Sequence, residues 1–223
     1  MNVLIGCERY GVIRDAFRSM GHNAWSCDLH MSETFGLGGE GGYHLQGDVR
    51  WFIDEPPPCD DGSGVWDLFI VHPDCTYLCS SGLHHNNKVP GRAELTEKAL
   101  DFVREMMAAP IDRICLENPV GRIGTAIRKA DQYVQPYEFG DDASKNTGLW
   151  LKNLPTLIKD PEQRVPGRIV THNGKQVERW ANQTDSGQNR LGPSKGRAME
   201  RAKTYPGIAE AMSRQWNFWG FLG

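Results

Sequence analysis

Short apolar runs alternate along the chain with stretches in which apolar residues recur at helical spacing. Such runs occupy residues 2–6, 23–27, 66–71 and 111–116, and residues 45–49 resemble the end of a further strand. Runs this short, bounded by turn residues, are typical of strands covered on both faces. The pattern therefore predicts five strands.

Three helices are predicted from the same pattern. Residues 11–20 follow the first strand and are closed by Gly21, while residues 94–108 have helical spacing and end before Pro110. Residues 208–216 predict a closing helix. Because strands and helices alternate, we expect an α/β fold with a largely parallel sheet covered on both faces.

Polar segments rich in turn residues divide this pattern. Residues 31–42 and 56–64 are predicted loops, and residues 141–194 are predicted to form a small irregular insertion with a hairpin or two around 169–177. We therefore divide the chain into a core (1–140), a polar insertion (141–195) and a C-terminal helix that returns to the core (196–223).

Composition narrows the class of protein. The 223 residues fit one α/β domain with a small appendage, and the net charge of −3 argues against a broad surface for binding polyanions. No run approaches the roughly 20 apolar residues that span a bilayer. No export signal is recognised, so we expect a cytoplasmic protein whose six cysteines are reduced.

Polar groups lie at the ends of the first three strands. The loop of residues 6–11 leads into a helix, Asp28 ends the second strand, and Asp48 follows Gly47. This arrangement is typical of a pocket for a nucleotide-like cofactor, with a carboxylate on the ribose. An ordinary turn with Asp28 as a helix cap is the alternative interpretation.

The fourth predicted strand delivers a cysteine thiol. Cys75 follows the turn His72-Pro73-Asp74, and a thiolate in such a place can act as a nucleophile. The alternatives are a buried structural cysteine and, for the nearby Cys79, a resolving thiol or a packing residue. Asp74 is unfavourable for a thiolate because it has a like charge.

A metal site is a further interpretation of this segment. His72, Cys75, Cys79, His84 and His85 lie within 14 residues, but their spacing matches none of the common zinc-binding pairs. We predict no metal site.

A carboxylate follows the fifth strand. Glu117-Asn118-Pro119 could begin a helix, since Asn is a good N-cap and Pro a good first residue. That interpretation leaves Glu117 unexplained. Its carboxyl group could donate or accept a proton at a heteroaromatic ring nitrogen.

Taken in order, these segments resemble the DNA cytosine-5 methyltransferase family, and most closely its compact members from phages and prophages. The resemblance rests on five short segments, which are Val3-Leu4-Ile5-Gly6 with the following helix, Asp28, Gly47-Asp48-Val49, His72-Pro73-Asp74-Cys75 with Ser81-Gly82, and Glu117-Asn118-Pro119.

The resemblance implies a Rossmann-like fold that binds S-adenosylmethionine, a bacterial or phage-infected host cell, and cytosine in DNA as the substrate. It implies that Cys75 adds to C6 of a cytosine flipped out of the stack, while Glu117 and Asn118 complete the catalytic group. The implied cofactor-binding residues are Gly6, Cys7, Glu8, Tyr10, Gly11, Asp28, Leu29, Asp48, Val49, His72 and Pro73. The implied substrate-binding residues are Thr76, Ser80, Ser81, Gly82, Pro119 and Lys145.

The sequence departs from the family pattern at Asp74, where the family has Pro, and in lacking an arginine pair after Glu117. Arg122, Arg128 or Lys145 could replace that pair. The small insertion keeps two alternatives open: an enzyme acting on a free pyrimidine nucleotide or single-stranded nucleic acid, and an inactive binding relative. Lysines and arginines are enriched from Lys145 to Lys203, which favours DNA as the partner.

Overall fold

A computed structural model describes residues 1–32, 43–54, 64–192 and 203–217. Its main feature is a seven-stranded sheet in the order β3-β2-β1-β4-β5-β7-β6. The strands are β1 (Asn2–Gly6), β2 (Asn23–Asp28), β3 (His44–Gln46), β4 (Leu68–Val71), β5 (Arg113–Pro119), β6 (Gln132–Val134) and β7 (Thr147–Lys152). A separate antiparallel hairpin consists of β8 (Arg168–His172) and β9 (Lys175–Arg179).

Helices cover the sheet and short 3₁₀ turns connect its strands. The helices are α1 (Val12–Ser19), α2 (Arg50–Ile53), α3 (Ser80–Leu83), α4 (Arg92–Met107), α5 (Ile123–Ala126) and α6 (Pro206–Gln215). The 3₁₀ turns are Cys75–Tyr77, Pro136–Phe139 and Pro161–Gln163. Across the described ranges, no helix combines the length and the apolar character needed to cross a membrane.

The topology has a switch point between β1 and β4. Strands β2 and β3 extend the sheet on one side of β1, whereas β4 and β5 extend it on the other side, all in parallel. Among the described strands of this sheet, β7 runs antiparallel to its neighbours β5 and β6. This is the predicted Rossmann-like α/β fold, with a sheet that is mostly parallel and is covered by helices.

Strand β1 shows how the two faces of the sheet are built. Val3 and Ile5 pack in the core beneath α1 and α6, whereas Leu4 packs in the core beneath α4. Side chains alternate along a strand, so three successive apolar residues serve both faces. Each is fully buried, and each such burial contributes about 1.5–3 kcal/mol to the free energy of folding.

The predicted strands at residues 2–6, 23–27, 66–71 and 111–116 are confirmed, as are the three longest helices. The hairpin expected around residues 169–177 is also present, with a turn at Asn173 and Gly174. Most of the predicted loops 31–42 and 56–64 lies outside the described residues, and so do residues 193–202 of the C-terminal third.

The boundary predicted at residue 141 does not agree with the sheet. Strand β7 lies inside the segment assigned to a polar insertion, yet it pairs with β5 over six residues and buries Leu149 and Trp150. This strand contains a glycine and has polar neighbours, so the hydrophobic pattern does not predict it. Its burial comes from pairing with β5. Strand β6, with three residues, is too short for a periodic signal.

Gly121 lies where the segment after the fourth strand meets the end of β5. A Cβ atom at Gly121 would come within 2.8 Å of Cys79 Cα and would also meet the carbonyl of Leu78. Ser80 N donates to Val120 O, and Arg122 N donates to Leu78 O, so this backbone is fixed from both sides. Only glycine fits such an approach.

We predict that Gly121→Ala lowers the free energy of unfolding by about 1–3 kcal/mol, because the backbone must shift to admit the methyl group. Gly124→Ala is the matched control, since its added Cβ would have only Tyr133 Oη nearby, at 4.0 Å. Urea denaturation of both variants tests this. Equal stability of the two would contradict the close packing at Gly121.

Candidate active site

The candidate residues lie in one row along the carboxyl edge of the sheet. At this edge, Gln46 pairs with Asp28. One residue before Asp28, Cys27 pairs with Gly6, Gly6 pairs with Val71, and Val71 pairs with Leu116, all across parallel strands. The residues that follow these positions therefore lie at the same edge of the sheet. Ligands of open α/β sheets bind at this edge, near the switch point.

Cys75 begins a 3₁₀ turn that Asp74 caps. The Asp74 carboxylate accepts hydrogen bonds from Thr76 N at 2.9 Å and from Thr76 Oγ1 at 2.7 Å. This is the usual action of an acidic N-cap, which satisfies backbone N–H groups at the start of a turn. The departure from the family pattern at Asp74 thus orders the turn that holds the thiol.

Asn118 ties this turn to the neighbouring strand. Its side chain is buried, and Asn118 Nδ2 donates to Pro73 O at 2.7 Å. Pro73 is itself buried, so the bond is shielded from water. The bond fixes the turn after β4, which contains Cys75, against the end of β5, which contains Glu117.

Glu117 is a buried carboxylate with several partners. Its Oε2 lies 3.2 Å from His72 Nδ1, and its Oε1 lies 4.0 Å from Lys145 Nζ. Burial by itself would raise the pKa of Glu117, but Lys145, His72 and a hydrogen bond with Thr147 together lower that pKa to about 2. The group is therefore a carboxylate at neutral pH and accepts hydrogen bonds.

The Cys75 thiol is partly buried, and its pKa lies above the ordinary range. The main cause is a hydrogen bond with the Cys79 side chain, followed by burial and by the charges of Asp74 and Glu117. Cys79 Sγ in turn lies 3.2 Å from Ser81 Oγ. The thiol thus keeps its proton in the free protein, and nucleophilic attack requires that this proton be lost.

The loop after β1 is shaped by its own side chains. The Glu8 carboxylate accepts hydrogen bonds from Ile13 N at 2.6 Å and Arg14 N at 3.3 Å, and so caps α1. Gly11 has a φ of 67°, and a Cβ there would meet the Arg14 guanidinium. Cys7 also has a positive φ of 58°. Glu8, which was predicted to bind a cofactor, is thus engaged within the protein.

Two aspartates mark the adjacent strand ends. Asp28 Oδ1 accepts a hydrogen bond from His30 N at 2.9 Å. The Asp48 carboxylate accepts from Arg50 N and forms an ion pair with the Arg50 guanidinium at 2.9 Å. Val49, the next residue, is buried beneath Gly6, where a Cβ would come within 2.8 Å of Val49 Cγ2.

Several features of this edge fit S-adenosylmethionine. The side chains of Leu29 and Trp51 are each 68% exposed beside Asp28 and Asp48, which provides apolar surface next to carboxylates. His72 Nε2 is buried without a hydrogen-bond partner in the described part of the chain, as is Asn118 Oδ1. Such orphaned polar atoms are uncommon in native structures and are often satisfied by a ligand.

The remaining residues that were predicted to bind the cofactor, Tyr10 and Pro73, lie in the turns after β1 and β4. Lys203 Nζ lies 4.8 Å from the centre of the Tyr10 ring. Lys145 Nζ donates to Lys203 O at 3.4 Å, so this part of the C-terminal segment meets both the first loop and the site.

The predicted substrate residues follow the thiol or flank Glu117. Thr76 and Ser80 are exposed, and a Cβ at Gly82 would come within 3.1 Å of Thr76 O. Pro119 pairs with Thr147 at the end of β5. Ser81 is exposed and contacts Cys79.

Of the three cations considered as substitutes for an arginine pair, the structure brings Lys145 to Glu117. Arg128 pairs with Asp131 at 2.7 Å and donates to Leu151 O. Arg122 donates to Thr125 Oγ1 within its own turn. Only tertiary contacts separate these candidates, because Lys145 is the farthest of the three from Glu117 in the sequence, yet it lies 4.0 Å from that carboxylate.

Sequence reasoning missed the residues that hold Lys145 in place. The Asn182 side chain accepts from Ser144 N at 3.0 Å and donates to Ser144 O at 2.9 Å. Gln135 Oε1 accepts from Lys145 N at 2.9 Å. The only signal in the sequence was two polar amides in a polar region, which does not distinguish them from solvated residues.

The cysteines and acids of the described ranges form no group of three His, Cys, Asp or Glu suited to a metal ion. Cys7, Cys27, Cys75, Cys79 and Cys115 are free thiols, while Cys59 lies outside the described residues.

Comparison with known proteins gives likenesses of fold. No protein-family model matches the chain, and no curated protein matches it. It is similar to the S. pombe Dnmt2 methyltransferase at 15% identity and a TM-score of 0.39, over 70% of this chain and 50% of that one. It is similar to an rRNA methylase from Escherichia coli at 14% identity and a TM-score of 0.35, over 68% of this chain and 56% of that one. The chain thus spans about half the length of these proteins.

Proposed function

We propose that this protein is a nucleic-acid methyltransferase that transfers a methyl group from S-adenosylmethionine to C5 of cytosine in DNA. The observation that supports it best is the bond from Asn118 Nδ2 to Pro73 O, which joins the turn of Cys75 to the strand of Glu117. A nucleophile and a carboxylate so joined are suited to act on one pyrimidine ring.

The residues suited to hold the cofactor are those at the ends of the first three parallel strands. Asp28 and Asp48 offer acceptors for ribose hydroxyls and an adenine amine, with Leu29 as exposed apolar surface next to Asp28. When bound, S-adenosylmethionine supplies an electrophilic methyl group and a positive sulfonium charge. His72 and Pro73 complete this edge.

The chain's own groups account for the remaining chemistry. A base removes the proton of the Cys75 thiol, and Sγ bonds to C6 of cytosine, which moves electron density to C5 and makes C5 nucleophilic toward the methyl group. The Glu117 carboxylate accepts a hydrogen bond from the exocyclic amine and so orients the ring. Loss of the C5 proton to a base and release of Cys75 from C6 restore the aromatic ring.

Neither Asp74 nor the lack of an arginine pair after Glu117 favours the alternative that this protein is an inactive binding relative. Asp74 is occupied as the cap of the turn, and Lys145 supplies a cation within 4.0 Å of Glu117. The target residue in a duplex would have to leave the stack to reach these groups.

We expect Cys75→Ala to abolish both methyl transfer and covalent trapping on an oligonucleotide that contains 5-fluorocytosine. Fluorine at C5 cannot leave as a proton does, so the adduct through Sγ persists and shifts the protein in a denaturing gel. Cys79→Ala is the control and should still be trapped. Full transfer by Cys75→Ala would show that the proposed nucleophile is wrong.

Substrate class is tested in the same assay with labelled cofactor. Duplex DNA, single-stranded DNA and dCMP are offered separately. Label in duplex DNA supports the proposal, whereas label in dCMP alone would assign the protein to free nucleotides. No label in any substrate, despite cofactor binding, would assign it to the inactive relatives.

The raised pKa of Cys75 predicts slow alkylation of that thiol by iodoacetamide. Because its pKa lies above the ordinary range, the thiolate fraction and the rate should rise by about tenfold per pH unit between pH 7 and 9. Cys79→Ala should speed the reaction at pH 8, since it removes the main cause of the shift. Peptide mass spectrometry identifies the alkylated residue.

Ser81→Ala is the matched control for that experiment, because Ser81 contacts Cys79 but has no described contact with Cys75. If Cys79→Ala left the rate at Cys75 unchanged, the hydrogen bond between the two thiols would not govern this pKa.

We expect Lys145→Met to raise the pKa of Glu117, because burial then acts with less opposition. The carboxylate form is lost as pH falls through that pKa, so the acid limb of the pH–rate profile should move to higher pH. Activity at pH 7 should fall by roughly tenfold. Lys145→Arg should restore most of it, and the exposed Lys129→Met serves as the control. An unmoved acid limb would exclude this role for Lys145.

A further inference from the structure

The segment that follows the proposed nucleophile is free of acidic residues. Residues 75–93 contain His84, His85, Lys88 and Arg92 but no Asp or Glu, although the whole chain has a net charge of −3. We call residues 84–92 the basic segment. The charged residues of this segment are all basic, whereas the chain as a whole has more acidic than basic residues.

The basic segment is anchored to the turn of Cys75. The Arg92 guanidinium donates to Thr76 O at 2.9 Å and lies 4.8 Å from the centre of the Tyr77 ring. Thr96 Oγ1 donates to Tyr77 O at 3.1 Å, and Asn86 Nδ2 donates to Thr96 Oγ1 at 2.9 Å. Two carbonyls of the catalytic turn are thus held by side chains at or beyond this segment.

The basic side chains of this segment lie close together, and the described residues provide no ion-pair partner for them. The His84 and His85 ring centres are 3.9 Å apart. His84, His85 and Lys88 are exposed, and none forms an ion pair within the described part of the chain. The pKa of His85 is lowered first by His84, then by burial, and then by the charges of Arg92 and Lys88. A bound anion would relieve this repulsion.

Unlike the side chains of the basic segment, the arginines of the hairpin region have partners within the protein. Arg164 pairs with Glu178, and Arg168 pairs with Asp185. Arg190 donates to the carbonyl of Gln183. These guanidinium groups hold the hairpin region together, so they are less available to a ligand than the exposed side chains of the basic segment.

We propose that the basic segment binds the phosphodiester backbone of a nucleic-acid strand on either side of the target base. This rests on the proposed function, and it specifies the substrate as a polymer in place of a free nucleotide. Phosphate contacts supply most of the affinity for a strand and fix its register, while the base enters the site. Because the basic segment is anchored to the turn of the proposed nucleophile, its side chains are placed for that task.

The test uses the triple variant His84→Ala, His85→Ala, Lys88→Ala and the wild-type protein. Binding of fluorescent duplex DNA, single-stranded DNA and single-stranded RNA is measured by anisotropy across a salt series at pH 6 and pH 8. Arg92 is left unchanged because it contacts the catalytic turn. Lys129→Ala with Lys175→Ala is the control, as both are exposed lysines outside the basic segment.

We expect the wild-type protein to bind more tightly at pH 6 than at pH 8, because the His85 imidazole, whose pKa is lowered mainly by the nearby His84, gains a proton as the pH falls. At pH 6 the triple variant should reduce the slope of log affinity against log salt by about 2–3, since each lost phosphate contact removes about 0.7–0.9. Its affinity should no longer depend on pH, and the control should behave as wild type. The three probes identify the strand that is preferred.

Wild-type salt slope and pH dependence in the triple variant would overturn the inference, as would a loss of binding confined to the control. The proposed function fails separately, if wild-type protein binds strands but transfers no methyl group to them. Circular dichroism and cofactor binding of the variant show that it is folded, so a weak binder is not mistaken for an unfolded one.

Discussion

The site depends on one buried hydrogen bond between adjacent parallel strands. Asn118 Nδ2 donates to Pro73 O at 2.7 Å, in surroundings that exclude water. A buried carbonyl left without this donor would cost about 1–3 kcal/mol, so the turn of Cys75 is held strongly to the strand of Glu117. The distance between Cys75, the proposed nucleophile, and the Glu117 carboxylate is therefore set by the sheet. Parallel pairing of β4 and β5 brings the two ends together, and Asn118 fixes the remaining freedom.

Electrostatic balance is the second constraint on this edge. Burial would neutralise Glu117, yet Lys145 and His72 keep it charged, with a pKa of about 2. The same carboxylate adds to the causes that raise the pKa of Cys75. The site therefore pairs a stable carboxylate with a protonated thiol, and a positive charge brought by a bound cofactor would shift this balance toward the thiolate.

The turn that contains Cys75 is ordered both by a residue of the turn itself and by side chains from α4. Asp74 acts within its own turn, where it caps the backbone for Thr76. Arg92 and Thr96 act from α4 on the carbonyls of Thr76 and Tyr77. The Asp74 carboxylate disfavours a thiolate at Cys75, but the same carboxylate orders the turn. This second role explains why Asp74 is tolerated beside the proposed nucleophile.

The sequence by itself determined the strands with strong apolar runs, the three long helices and the strand ends that present Asp28, Cys75 and Glu117. These follow from periodicity and chain adjacency, which are local properties. Only the tertiary structure decided that residues 147–152 belong to the main sheet and that Lys145, and neither Arg122 nor Arg128, faces Glu117. Burial, pairing and the distance between charges depend on residues far apart in the chain, so no local pattern encodes them.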